Sequence, residues 1–165
     1  MRKLFIFAMI VILSIAFSVN AFAIESQNQY PPIDSKIKYF DDGSYIVETF
    51  TFYSQNNYRL KSAAQKSTQG TKSVCYYNGD NELEWEYQLI GTFTYTPGVS
   101  SGCISATHNV FIHSNDWSFS NANTYAENNI AHGKGTFKKK LWFITLKTID
   151  IDVYITCDTN GNLSD

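Results

Sequence analysis

The sequence predicts an all-β domain after a cleaved leader: a single antiparallel β-sandwich or small barrel of about seven to eight strands. Three observations point there. Apolar side chains recur at every second position in several runs, the period of a half-buried strand. Residues that tolerate positive φ separate the runs, at Asp41-Asp42-Gly43 and at Asn78-Gly79-Asp80-Asn81. Aromatics suited to pleated surfaces are abundant, with 12 Phe and 11 Tyr among 165 residues.

The first 23 residues read as a signal peptide rather than as fold. Met1-Arg2-Lys3 is cationic, Leu4 to Phe17 is an apolar run of 14 residues, and Ala21-Phe22-Ala23 is a small-residue cleavage site. A bilayer span needs roughly 20 apolar residues, so an uncleaved anchor is the weaker alternative. Cleavage is expected after Ala23, which makes the product secreted and extracellular. No cysteine sits at the cleavage point to carry a lipid. Residues 24–35, with Pro31-Pro32, read as an extended lead-in, and residues 36–165 as one secreted β domain.

The chain carries 13 Lys and Arg against 15 Asp and Glu, a net charge of −2. Loss of Arg2 and Lys3 with the leader takes the mature domain to −4. Lys138-Lys139-Lys140 is the one basic run, too short for a nucleic-acid footprint, so no nucleic acid is expected as partner.

The clearest strand runs from Glu82 to Thr96. Leu83, Trp85, Tyr87, Leu89, Phe93 and Tyr95 share one face, and Glu84, Glu86, Gln88, Thr92 and Thr94 the other. Gly91 interrupts the apolar face, where a bend or bulge is expected. In the last strand Ile149, Ile151, Val153, Ile155 and Cys157 alternate with Asp150, Asp152, Tyr154 and Thr156. Ser44 to Phe52, Thr71 to Tyr77, Cys103 to His113 and Trp117 to Ser120 are further strands. Asn129 to Phe137 is a weaker one because of Gly133 and Gly135. Ser54 to Gly70 reads as a long polar connection.

Cys75, Cys103 and Cys157 are an odd set for an oxidising destination, and three pairings are possible. A Cys103–Cys157 disulfide is favoured because Cys103 opens one strand-like run and Cys157 closes the last. Closing that loop would stabilise by about 4 kcal/mol on the chain-entropy account. Cys75 is then a packed thiol, giving a monomer, or the link of a Cys75-bridged dimer.

Several phrases together resemble an uncharacterised family of small secreted β-rich proteins of Gram-positive bacteria. They are Asp42-Gly43-Ser44-Tyr45-Ile46-Val47, Tyr77-Asn78 leading to Leu83-Glu84-Trp85, and Gly91-Thr92-Phe93-Thr94-Tyr95, then Cys103, Trp117 and Thr156-Cys157. The resemblance spans roughly residues 38–164 and implies a compact β domain with the same Cys103–Cys157 bridge. It brings no functional residues. The chain departs from the pattern at Cys75 and at the turn from Lys138 to Thr145.

No grouping reads clearly as catalytic, and no cofactor or metal is expected. Glu84 and Glu86, two apart on one strand face, are a conceivable acid–base pair for glycoside cleavage, but charged solvent-facing positions are the ordinary product of strand alternation. His108 and His113 are five apart and fall on opposite faces of a regular strand, and His132 is remote in sequence. Asp158 to Asp165 echoes the opening of a calcium loop but has Leu163 where the sixth-position glycine belongs. Tyr30, Tyr53, Tyr58, Trp117 and Tyr125 lie near expected loops, where aromatics grip sugars or peptides.

The segment Lys138-Lys139-Lys140-Leu141-Trp142-Phe143-Ile144 is the most informative. Four consecutive apolar residues follow a cationic triplet and break the strand period. As a hairpin tip, Trp142 and Phe143 beside Lys138, Lys139 and Lys140 would form a surface contact for an anionic envelope, a membrane surface or a partner protein. The favoured expectation is the blander one: Leu141 and Phe143 enter the core and Trp142 packs across a neighbouring strand. The leading functional expectation is a secreted non-enzymatic domain that binds a protein or cell-envelope ligand. A membrane-active or antimicrobial effector using Lys138 to Ile144 is the alternative, and a secreted hydrolase a distant third.

Overall fold

The computed structural model describes residues 34–54 and 65–165. The leader with Ala21 and Ala23, most of the lead-in, and Tyr30 and Tyr58 lie outside the described residues.

Nine strands are described: β1 (Asp34–Tyr39), β2 (Tyr45–Ser54), β3 (Lys66–Tyr77), β4 (Leu83–Thr96), β5 (Ser100–Ile112), β6 (Trp117–Glu127), β7 (Ile130–Leu141), β8 (Ile144–Cys157) and β9 (Leu163–Ser164). They form two antiparallel sheets, one in the order β1-β2-β3-β4-β5 and one in the order β6-β7-β8-β9. Consecutive strands pair throughout each sheet, as short turns require. The sheets are not closed on one another, so the architecture is a sandwich and not a barrel. The Ser54–Gly70 connection is shorter than expected, because β2 reaches Ser54 and β3 begins at Lys66.

Alternation decides the core. Trp85, Tyr87, Leu89 and Phe93 of β4 face Ile149, Ile151, Val153 and Ile155 of β8 and Ala131 and Phe137 of β7, all buried. Aromatic rings join the layers. Trp85 stacks on Tyr76 at 5.3 Å and on Phe137 at 3.8 Å, while Trp117 meets Tyr76 and Trp85 edge-on.

The glycines that weaken β7 on paper are what let it face those rings. A Cβ at Gly135 would lie 2.2 Å from the Phe119 ring, and one at Gly133 would lie 2.5 Å from the Tyr87 hydroxyl. Gly91 is likewise a close approach, since a Cβ there would lie 2.9 Å from Ala131 of the facing sheet, and the expected irregularity falls beside it, where the register with β5 shifts between Thr92 and Phe93.

The structure holds three separate thiols at Cys75, Cys103 and Cys157, which corrects the expected Cys103–Cys157 bridge. Thr92 pairs with Ser105 and Phe93 with Cys103, so Ile104 is an extra residue in β5. The Cys103 sulfur lies 3.4 Å from the Ser105 carbonyl and Cys103 packs against the edge of the core, in which Cys157 is fully buried. Burial pushes the Cys157 thiol up to about 11, with the charges of Asp158 and Cys103 adding to it. Burial followed by the Glu86 charge does the same for Cys75.

Candidate binding surface at the β7–β8 hairpin

β7 and β8 are joined by a two-residue turn: Leu141 pairs with Ile144, leaving Trp142 and Phe143 at the tip. Trp142 has φ 57°, a left-handed conformation that bulky residues rarely adopt. Toward the base, Lys139 pairs with Lys147 and Lys140 with Thr145, so Leu146 is an extra residue that bulges from β8.

The expected burial of Leu141, Trp142 and Phe143 is overturned. Trp142 is 86% exposed and Phe143 96%, and Leu141, Ile144 and Leu146 are each more than half exposed. The bulge at Leu146 removes the parity that would have turned one side of the tip inward. Scattered exposed apolar residues are ordinary, but five within six positions at one hairpin tip make a continuous exposed apolar stretch.

The base of the hairpin is fixed from both sides. Lys139 turns inward to the carboxylate of Glu84 at 3.3 Å, so it belongs to the scaffold and not to the surface contact expected of it. Lys147 donates to Asp42 at 2.8 Å, to the Ser44 hydroxyl at 2.7 Å and to the Tyr76 hydroxyl at 3.1 Å, and sits 4.2 Å above the Phe40 ring. The Lys140 amide donates to the Asp116 carbonyl at 2.9 Å. Lys140 stays exposed and Lys138 half-buried, a pair of cations just behind the apolar tip. Such an arrangement can present a rigid apolar wedge to a soft or pocketed surface.

Glu84 was missed as a structural residue. Tyr76 pairs with Trp85 and Tyr77 with Leu83, so Glu84 is an extra residue in β4. The bulge rotates its side chain from the solvent face into the interior, where it accepts hydrogen bonds from the Trp117 indole and from Asn78 at 3.1 Å. Glu86 stays on the outer face and accepts from Gln88 at 2.6 Å. The two carboxylates therefore do not meet as an acid–base pair, and Glu84 departs from the solvent-facing position expected of it. Nothing in the spacing of β4 alone could have revealed this, because the extra residue exists only relative to β3.

The other candidates are dispersed. The His108 ring nitrogen lies 2.6 Å from the Thr124 hydroxyl, His113 is exposed beyond the end of β5, and His132 stacks on Tyr125. Among the described residues no group of three or more His, Cys, Asp or Glu side chains is placed to hold a metal ion. The Asp158 carboxylate accepts from the amides of Asn160 and Asn162, both at 2.8 Å, closing the turn between β8 and β9. Trp117 is buried in the core, and Tyr53 lies within β2 and Tyr125 within β6 rather than on loops.

Comparison with known proteins finds no match to this chain among family models, curated proteins or solved structures.

Proposed function

We propose that this chain is a secreted, non-enzymatic β domain that binds a protein or cell-envelope ligand through its β7–β8 hairpin. One observation carries the reading: Leu141, Trp142, Phe143, Ile144 and Leu146 are exposed together on a hairpin whose base is held by Lys139 and Lys147. Transferring such a side chain from water into an apolar site gains about 1.5–3 kcal/mol. Rigid clamping at the base lowers the ordering cost of using that gain.

The test replaces Trp142 and Phe143 together by serine in the mature protein. Binding is measured to intact Gram-positive cells, purified cell wall, and vesicles of phosphatidylglycerol or phosphatidylcholine. The double variant is expected to keep its thermal midpoint and lose binding. Unchanged binding by the folded variant removes the hairpin from the reading.

A second reading is a membrane-active effector, favoured by the cations Lys138 and Lys140 set behind the apolar tip. Dye release from phosphatidylglycerol vesicles separates the two. Binding without leakage at micromolar protein leaves the adhesive module, and leakage that W142S/F143S abolishes selects the effector.

A further inference from the structure

The two sheets differ in width. The β1–β5 sheet is five strands wide, whereas the facing sheet is three strands wide over most of its length. β9 adds a fourth lane only opposite Thr156 and Cys157. Among the described residues no strand pairs with the outer edge of β8 from Ile144 to Ile155. That edge presents unpaired backbone N–H and C=O groups beside a cleft of about 250 Å³. Phe40, Ile46 and Val74 line the cleft on one side, and Ile149, Ile151 and Val153 on the other.

We propose that this lane, unpaired among the described residues, captures an extended segment of another polypeptide by strand addition to β8, and that the segment alternates apolar residues with Lys or Arg. The inference is independent of the hairpin reading. Four features support it.

The lane already accepts a strand at one end. β9 pairs with β8 there, with Leu163 turned inward against Gly70 and Phe50. Asp165, directly after β9, neutralises the buried Lys72 at 2.7 Å, and Glu48 reaches the same ammonium at 3.0 Å. The cleft volume lies below the 300–1,000 Å³ range of sites that enclose small molecules and suits side chains entering at alternate positions.

Charge sets the partner's chemistry. Asp150 and Asp152 project from the outer face of β8 at alternate positions, Asp150 accepting from the Thr136 hydroxyl at 2.9 Å and Asp152 lying 3.1 Å from the half-buried Lys134, while Lys38 and Glu48 line the cleft from the other sheet. An added strand places its own outward side chains beside these carboxylates, where cations stabilise and anions destabilise the pairing. The same rule disfavours a second copy. An antiparallel β8–β8 pair centred on Ile151 sets Asp150 of each copy against Asp152 of the other.

The test uses the full mature chain and a fluorescein-labelled peptide amide of alternating lysine with valine or isoleucine, nine residues long. Anisotropy is expected to show saturable micromolar binding, with hydrogen-exchange protection gained at residues 148–153. The same peptide N-methylated at every backbone nitrogen should not bind, because it cannot pair with an edge. The D150K/D152K variant should lose at least tenfold in affinity for the lysine peptide and prefer the glutamate counterpart. W142S/F143S should bind the lysine peptide as the parent does. The proposal is overturned by no binding at millimolar peptide, by equal binding of the N-methylated peptide, by indifference to charge reversal, or by dependence on Trp142 and Phe143. Sedimentation of the free protein as a dimer that the peptide fails to dissociate would place a second copy in the lane instead.

Discussion

The indole N–H of Trp117 donates to the buried carboxylate of Glu84, and Lys139 reaches the same carboxylate at 3.3 Å. This contact joins β4, β6 and β7 at the end of the sandwich from which the hairpin projects. Removing the acceptor strands a buried indole N–H and leaves the partly exposed Lys139 ammonium without its carboxylate. Glu84→Ala is expected to cost about 2–4 kcal/mol, and Glu84→Gln, which retains an acceptor for Trp117, about half as much. Urea unfolding of the three proteins checks this. Equal stability of Glu84→Ala and the parent would contradict the assignment.

Trp142 holds a left-handed backbone that glycine adopts freely. Trp142→Gly is expected to raise stability by up to about 1 kcal/mol while weakening the surface contact of the tip. A variant more stable by thermal unfolding yet poorer in cell binding would identify the tryptophan as retained for contact rather than for folding.

Packing across the glycine strand gives a third outcome. An alanine at position 135 puts a methyl 2.2 Å from the Phe119 ring, which cannot yield without disturbing Phe137 and Tyr87 behind it. Gly135→Ala is expected to destabilise by about 1–3 kcal/mol, measured as a lower midpoint in denaturant at unchanged slope.

The hydrogen bond from Lys147, aided by Ser44, lowers the Asp42 carboxyl from its ordinary 3.8 to about 2. A group whose folded value is depressed stabilises above its unfolded value and loses that contribution as pH falls toward the folded one. The thermal midpoint of the parent should therefore exceed that of Asp42→Asn above about pH 4, and the gap should close as pH falls to about 2. The effect is small because the Asp42 carboxylate is largely exposed. A gap that persists unchanged at pH 2 would contradict the ion pair as its source.

Much of the fold is legible without coordinates. The alternation from Leu83 to Tyr95 and from Ile149 to Cys157 assigns those strands and their core faces, and Gly43 and Asn81 take the positive φ their turns require. β1 escaped notice because its residues are exposed and lack an apolar period, and β7 was obscured by glycines whose partners are distant rings.

The chain by itself determined the all-β class, the turns and which side chains of each regular strand face inward, since period-two alternation and positive-φ tolerance are local properties of neighbouring residues. Only tertiary structure decided that Glu84 turns inward and that Trp142 and Phe143 stand in solvent. The reason is register. One unmatched residue at Glu84, Ile104 or Leu146 reverses which face the next side chain meets, and a residue is unmatched only relative to a strand elsewhere in the sequence.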